Sequence, residues 1–235
     1  QHVTEEKVRD WYANHGIPAE ISKAWIDSGF GFLGLPEEHG GTPCDLTTLG
    51  LVAETLCAET GARLPFVTNM IDIFDMIEFG SPEQIKLCMD AFKSTGKTLF
   101  SPAFSEPGAG SDSMSMTTVA KEIDGKIHIN GTKNWVTGGE DADYVLLIAK
   151  DEDPAPTNSS MSLWLVPLDS PGLTTQLTDK IGGHIAPFCD MYFDDVVVDE
   201  SARVGKRDEG FMNLMRDFEM HRCVAIAGNL GLAQA

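Results

Sequence analysis

A chain of 235 residues with ordinary hydrophobic content is long enough for one large or two modest domains, each with a core of its own. Its 36 acidic against 17 basic side chains leave a formal charge of −19, which repels phosphate backbones and argues against a nucleic-acid partner. A phosphate-bearing small molecule stays admissible, because a local nest of N–H groups can hold an anion inside a negative protein.

No apolar run reaches the ~18 residues of a membrane span, and no basic and then apolar leader opens the chain, so no membrane partner and a cytoplasmic location are expected. Cys44, Cys57, Cys88, Cys189 and Cys223 are odd in number, widely spaced and free of any CxxC pattern. They read as buried or partly buried free thiols in a reducing compartment. Gln1 in place of methionine reads as sequence missing at the amino end.

From residue 1 to about 97 the apolar spacing predicts helices. Val8, Trp11 and Tyr12 mark the first, and Pro18 opens a second with Ile21, Trp25 and Ile26 before the glycines from Gly29 to Gly34 break it. Pro36 to Gly41 is a loop. Leu46, Leu49, Val52, Ala53 and Leu56 share one face of a helix running to about Glu59, and Phe66 to Phe79 forms another. Ser81-Pro82-Glu83-Gln84 is a start signal, with Ser81 as N-cap and Gln84 closing a capping box.

The period changes near Lys97. Val119–Ile123 and Lys126–Asn130 flank Asp124-Gly125, a strong hairpin signal. Tyr144–Ala149 and Met161–Val166 read as compact apolar strands around a Pro- and Asp-rich loop from Asp151 to Ser160, and Met191–Val198 as another strand. Strands without helical spacers predict a small antiparallel sandwich or barrel. From Gly210 the helical period returns through Phe211, Leu214, Met215 and Phe218 and still runs at Ala235, which suggests a domain cut short.

Two stretches carry the chemistry. In Phe104-Ser105-Glu106-Pro107-Gly108-Ala109-Gly110-Ser111-Asp112, small residues after a proline let backbone N–H groups approach a ligand closely, framed by hydroxyls and carboxylates. In Lys133-Asn134-Trp135-Val136-Thr137-Gly138-Gly139 an indole stands beside a hydroxyl and two glycines. Trp135 and Thr137 alternate along a strand and so face one side. The glycine pair is not a dinucleotide fingerprint, which needs a preceding strand, a following helix and a third glycine. His39, His128 and His184 lack metal-ligand spacing, and Glu140, Asp141 and Asp143 read as a solvated loop, so no metal is expected.

FSEPGAGSD followed by KNWVTGG resembles the flavin-binding middle domain of the acyl-CoA dehydrogenases, usually written TEPGAGSD and KxWITNG. The resemblance extends to GFLGLPEEHGG and to Phe218-Glu219-Met220-His221-Arg222, and so covers nearly the whole chain. FKSTGK and DEGFMNLMRDFEMHR are similar to the crotonobetainyl-CoA reductase type. The implied fold is α+β. It has an all-helical domain over residues 1–97, the β domain over 98–205, and over 206–235 the first helix of a truncated carboxy-terminal helical bundle.

The resemblance implies FAD as cofactor and an acyl-CoA thioester as substrate. Phe104 and Ser105 would lie along the pyrimidine side of the isoalloxazine, and Gly110 and Ser111 near the pyrophosphate, with Ser111 also beside the pantetheine arm. Trp135 would lie on one flavin face, followed by Val136, with Thr137 near the reactive ring nitrogen. Glu219 and Arg222 would meet the substrate; they are three apart and share a helix face, where a plain ion pair is the alternative. The family reaction is α,β-dehydrogenation, or its reverse. A glutamate takes the α-proton, the β-hydride goes to the flavin, and electron-transfer flavoprotein reoxidises it; the full-length protein would be a homo-oligomer, dimer or tetramer.

The usual glutamate would lie beyond Ala235, and His221 stands where a minority of the family place theirs, so no catalytic residue is assigned and the fragment is expected to be inactive alone. Glu106 would pin the Pro-Gly turn. Two alternatives stay open: a flavin oxidase or monooxygenase on the same scaffold, and a non-catalytic binding or assembly module.

Overall fold

The computed structural model describes residues 3–152 and 160–235. Five helices come first: α1 (Glu5–Ala13), α2 (Ala19–Asp27), α3 (Leu46–Thr60), α4 (Phe66–Phe79) and α5 (Pro82–Thr95). Strands follow as β1 (Phe100–Ala103), β2 (Val119–Ile123), β3 (Lys126–Thr137), β4 (Tyr144–Asp151), β5 (Met161–Pro167), β6 (Leu173–Thr178), β7 (Phe188–Val198) and β8 (Arg203–Val204). A long helix α6 (Gly210–Gln234) returns to the helical layer. No helix among the described residues is long and apolar enough to cross a membrane.

Local chemistry sets the helix starts. Thr4 and Asp45 accept from the backbone N–H groups of Lys7 and Thr48, satisfying donors that a first turn leaves free. The capping box at α5 is complete, with Gln84 N–H donating to Ser81 Oγ at 3.2 Å and Ser81 N–H to Gln84 Oε1 at 2.9 Å. Gln84 also reaches across the fold, its Nε2 donating to the carbonyls of Ser201 and Arg203 at 3.1 and 3.0 Å. The cap therefore fastens α5 to the end of the sheet.

The strands lie in the order β6-β7-β3-β2-β4-β5-β8, with β1 also paired to β4. Most pairings are antiparallel, as the hairpin signals require, but β1 and β2 both run parallel to β4. Three strands were not legible in sequence. β1 is four residues with a proline, β8 is two, and LTTQLT in β6 is polar and largely exposed. The loop expected from Asp151 to Ser160 lies mostly outside the described residues.

Strands β4 and β5 read as unbroken apolar runs because both their faces are covered. Leu146, Ile148, Leu163 and Leu165 pack with Met70, Ile73, Met76, Phe92 and Phe100 of the helical layer and its border. The alternate residues Val145, Leu147, Trp164 and Val166 join Val136, Met191 and Val196 inside the curled sheet. A period of two thus divides one strand between two cores. Cys57, Cys88 and Cys189 are buried free thiols, whereas Cys223 is exposed on α6.

Candidate functional site

The turn 106–109 closes on itself, with Glu106 N–H donating to the Ala109 carbonyl at 2.9 Å and Ala109 N–H returning to the Glu106 carbonyl at 3.1 Å. The Glu106 carboxylate points inward. It accepts from Thr117 N–H at 2.6 Å, Thr117 Oγ1 at 2.8 Å, Thr118 N–H at 3.0 Å and Lys133 Nζ at 2.8 Å. Burial works to raise this carboxyl, but the bonds from Lys133, Thr118 and Thr117 outweigh it and hold the pKa down to about 2. Glu106 therefore pins the turn and is not a proton acceptor near neutrality.

The same pair joins the two motifs. Side chains of Lys133 and Glu106 are 0% and 2% exposed. Lys133 Nζ also donates to the Phe104 carbonyl at 3.1 Å, and Asn134 N–H to the Ser105 carbonyl at 2.9 Å. Stretches nearly thirty residues apart are thus held as one surface. A pH dependence follows: the folded pKa of Glu106 lies below its ordinary value of 4.5, so its contribution is present above that pH and is lost as pH falls from 4.5 towards 2. Urea midpoints measured across this window should fall for the wild type and flatten partly in Glu106→Gln.

Trp135 and Thr137 are both exposed with Val136 buried between them, as alternation suggested, but not by alternation alone. The β3–β7 register shifts between Lys133 and Val136, and Trp135 has a left-handed φ of 58°. Such a backbone is rare for a bulky residue and persists only where the surroundings enforce it. Here buried Lys133 and Val136 anchor both sides, and the indole stands out 57% exposed. The Val136 side chain belongs to the inner core, which leaves only its main chain for a ligand.

The glycine loop is open on its outer side. A Cβ added at Gly108 or Gly110 would meet nothing within 4 Å, and Ser111 is exposed. The N–H groups of Ser105, Gly110 and Ser111 donate to no protein acceptor among the described residues. Free donors, exposed hydroxyls and a projecting indole fit the phosphate and ring parts of a flavin nucleotide.

Phe104 turns its ring toward α6, edge-on to Phe218 at 5.8 Å between centroids. Glu219 and Arg222 are exposed on that helix and form no ion pair with each other. Arg222 lies over the Phe218 ring at 5.4 Å instead. His128 pairs with Asp195 at 2.8 Å, His184 with the Lys180 carbonyl at 2.8 Å, and Glu140, Asp141 and Asp143 are exposed.

One group of polar residues escaped the sequence reading. Asp72 and Asp75 on α4 face Asp217 and His221 on α6, with His221 Nε2 2.8 Å from Asp217 Oδ1 and 3.4 Å from Asp72 Oδ1. The approach is one of charge: neither Asp217 Oδ1 nor His221 Nε2 makes an aligned hydrogen bond. Burial pushes the Asp72 carboxyl up, and burial with the neighbouring Asp217 pushes Asp75 up to about 10. Burial alone would lower His221, but Asp217 and Asp72 hold it up to about 10. The available signal was two aspartates on the apolar helix Phe66–Phe79, facing an i,i+4 Asp–His pair.

A helical layer, a curled sheet displaying a glycine loop beside a projecting indole, and a returning helix define the acyl-CoA dehydrogenase architecture, and the chain belongs to that family. Residues 1–92 match the acyl-CoA dehydrogenase N-terminal domain and residues 101–196 the acyl-CoA dehydrogenase middle domain. The chain is 38% identical over 232 residues to the probable acyl-CoA dehydrogenase YdiO of Escherichia coli K12, covering 98% of this chain and 60% of that protein. The solved acyl-CoA dehydrogenase from Slackia heliotrinireducens superposes with a TM-score of 0.84 at 31% identity, covering 100% of this chain and 60% of the other. A glutaryl-CoA dehydrogenase from Mycobacterium smegmatis, in complex with FADH2, shares the fold at a TM-score of 0.84, 24% identity and 98% and 58% coverage. The chain thus spans about 60% of the length of the curated relatives it matches.

Proposed function

We propose that this chain forms the flavin- and thioester-binding part of an FAD-dependent acyl-CoA dehydrogenase, acting in α,β-dehydrogenation of an acyl-CoA or its reverse. The observation that carries it is the junction of the two motifs through Glu106–Lys133 and Asn134–Ser105, which sets Trp135 beside open donors of the glycine loop. Residues 1–97 would form the helical domain, 98–205 the β domain, and 206–235 the start of a further helical one.

Bound FAD would supply a two-electron acceptor for the hydride leaving the β-carbon. Ser105, Gly110 and Ser111 would donate to its polar edge and phosphates, Trp135 would cover a ring face and exclude water, and Thr137 would donate toward the ring nitrogen that gains charge. Ser111, Glu219 and Arg222 would meet the thioester. Glu106, tied by its four bonds, takes no part in proton transfer. Electron-transfer flavoprotein is the proposed oxidant and a homo-oligomer the proposed assembly.

The test is the visible spectrum of purified protein with added FAD after gel filtration. Retained yellow colour that bleaches anaerobically with an acyl-CoA supports the reading. Colourless protein at every FAD concentration overturns it. Trp135→Ala should weaken FAD retention about fivefold, since an aromatic stack contributes about 1 kcal/mol beyond its buried area. An unchanged dissociation constant removes Trp135 from the flavin wall.

A further inference from the structure

The sheet ends on an unprotected edge. Strand β6 pairs only with β7 among the described residues, and Thr174, Thr175, Gln176 and Leu177 are exposed along it. Edge strands are ordinarily blunted by a lysine, a proline, a bulge or a covering element. LTTQLT carries no charge and no proline, and its register with β7 runs without a shift.

The direction of its backbone groups follows from one bond. Asp194 N–H donates to the Gly172 carbonyl at 3.0 Å, which makes 172 and 194 a hydrogen-bonded position of the antiparallel ladder. Counting by twos, Thr174, Gln176 and Thr178 turn their N–H and C=O groups to β7, and Leu173, Thr175 and Leu177 turn theirs outward. Leu173 N–H is held by the Ser170 carbonyl at 3.1 Å, whereas the N–H groups of Thr175 and Leu177 meet no protein acceptor among the described residues. The side chains of Leu173, Thr175 and Leu177 lie on the face of Phe193, Met191 and Cys189. The inner core thus reaches the edge, where Leu177 is left 45% exposed.

The strand is complementary to itself. A two-fold axis at Thr175 sets a second β6 antiparallel to the first, with Thr175 opposite Thr175 and Leu173 opposite Leu177 in both directions. Each outward N–H of Thr175 and Leu177 then meets an outward carbonyl, that of Thr175 or Leu173 in the other copy. Leucine covers leucine on the inner face, and Thr174 meets Gln176 on the outer one. Two chains of charge −19 repel, and a strip free of charge is where they approach at least cost. We infer that β6 docks a second copy of this chain, edge to edge, about a two-fold axis at Thr175. A strand of six residues makes a small interface, so the dimer is reversible. The inference is independent of the flavin reading.

The experiment is sedimentation equilibrium of the wild type and Thr175→Pro, joined to oxidative cross-linking in a Cys223→Ser background that removes the exposed thiol of α6. Proline deletes an outward N–H, which an edge strand tolerates. The variant should keep the wild-type circular dichroism and raise the dimer dissociation constant about tenfold. Thr175→Cys should give a disulfide-linked dimer, because hydrogen-bonded partners have Cα atoms about 5.5 Å apart. Gln176→Cys should not, because its own copy lies diagonally, about 7–8 Å away. A wild type that stays monomeric at every concentration overturns the inference, as it would if another segment occupied the edge. An unchanged constant in folded Thr175→Pro overturns it by moving the contact elsewhere. Where the proline variant unfolds, cross-linking decides, and equal linking of the two cysteine variants overturns the two-fold edge.

Discussion

Glu106→Ala should lower folding stability by about 3–5 kcal/mol, because it leaves an ammonium buried without its counter-ion. Lys133 is 0% exposed and would keep only the Phe104 carbonyl at 3.1 Å. The N–H groups of Thr117 and Thr118 would lose their acceptor as well, and each orphaned donor costs about 1–3 kcal/mol where water cannot reach it. Lys133→Met should cost less, since Glu106 would still accept from Thr117 and Thr118 while the longest part of the lysine stem is replaced by similar volume. Urea unfolding followed by circular dichroism gives both numbers. A loss below about 1 kcal/mol for Glu106→Ala would sink the view that this pair holds the two motifs together.

Gly96→Ala is the second large effect, at about 3 kcal/mol. Gly96 ends α5 with a left-handed φ of 70°, and a Cβ there would lie 2.4 Å from the Ser22 carbonyl oxygen and 2.8 Å from its carbon. Left-handed backbone alone costs a residue with a Cβ about 1–2 kcal/mol, and forcing α2 from α5 adds about 1–3 kcal/mol. Gly29→Ala separates these, since Gly29 has a φ of 81° and open space around it; it should lose only about 1 kcal/mol. Equal thermal shifts for the two variants would mean that α2 and α5 yield without cost.

Signals contained within a few residues were legible from the chain alone. The capping box at Ser81 and Gln84, the Asp124-Gly125 hairpin and the helices from Leu46 and Phe66 each depend on neighbours three or four positions away, and the structure has them where the spacing put them. The two motifs were equally plain, because turn geometry and close backbone approach are properties of a short stretch. Their roles toward FAD and a thioester rest on resemblance and on the proposal above.

Long-range pairing decided the rest. Strands β1, β6 and β8 are too short, too polar or too interrupted to announce themselves, and they form because a partner strand offers free N–H and C=O groups. Nothing near Lys133 in sequence says that its ammonium is buried; that follows from Glu106, a counter-charge 27 positions earlier. The left-handed Trp135 arises from a register shift against β7, and the aspartates of α4 join a buried cluster only because α6 brings Asp217 and His221 against them. A side chain's spacing along the chain selects the helix or strand face it occupies, but its electrostatic environment is set by whatever distant element covers that face.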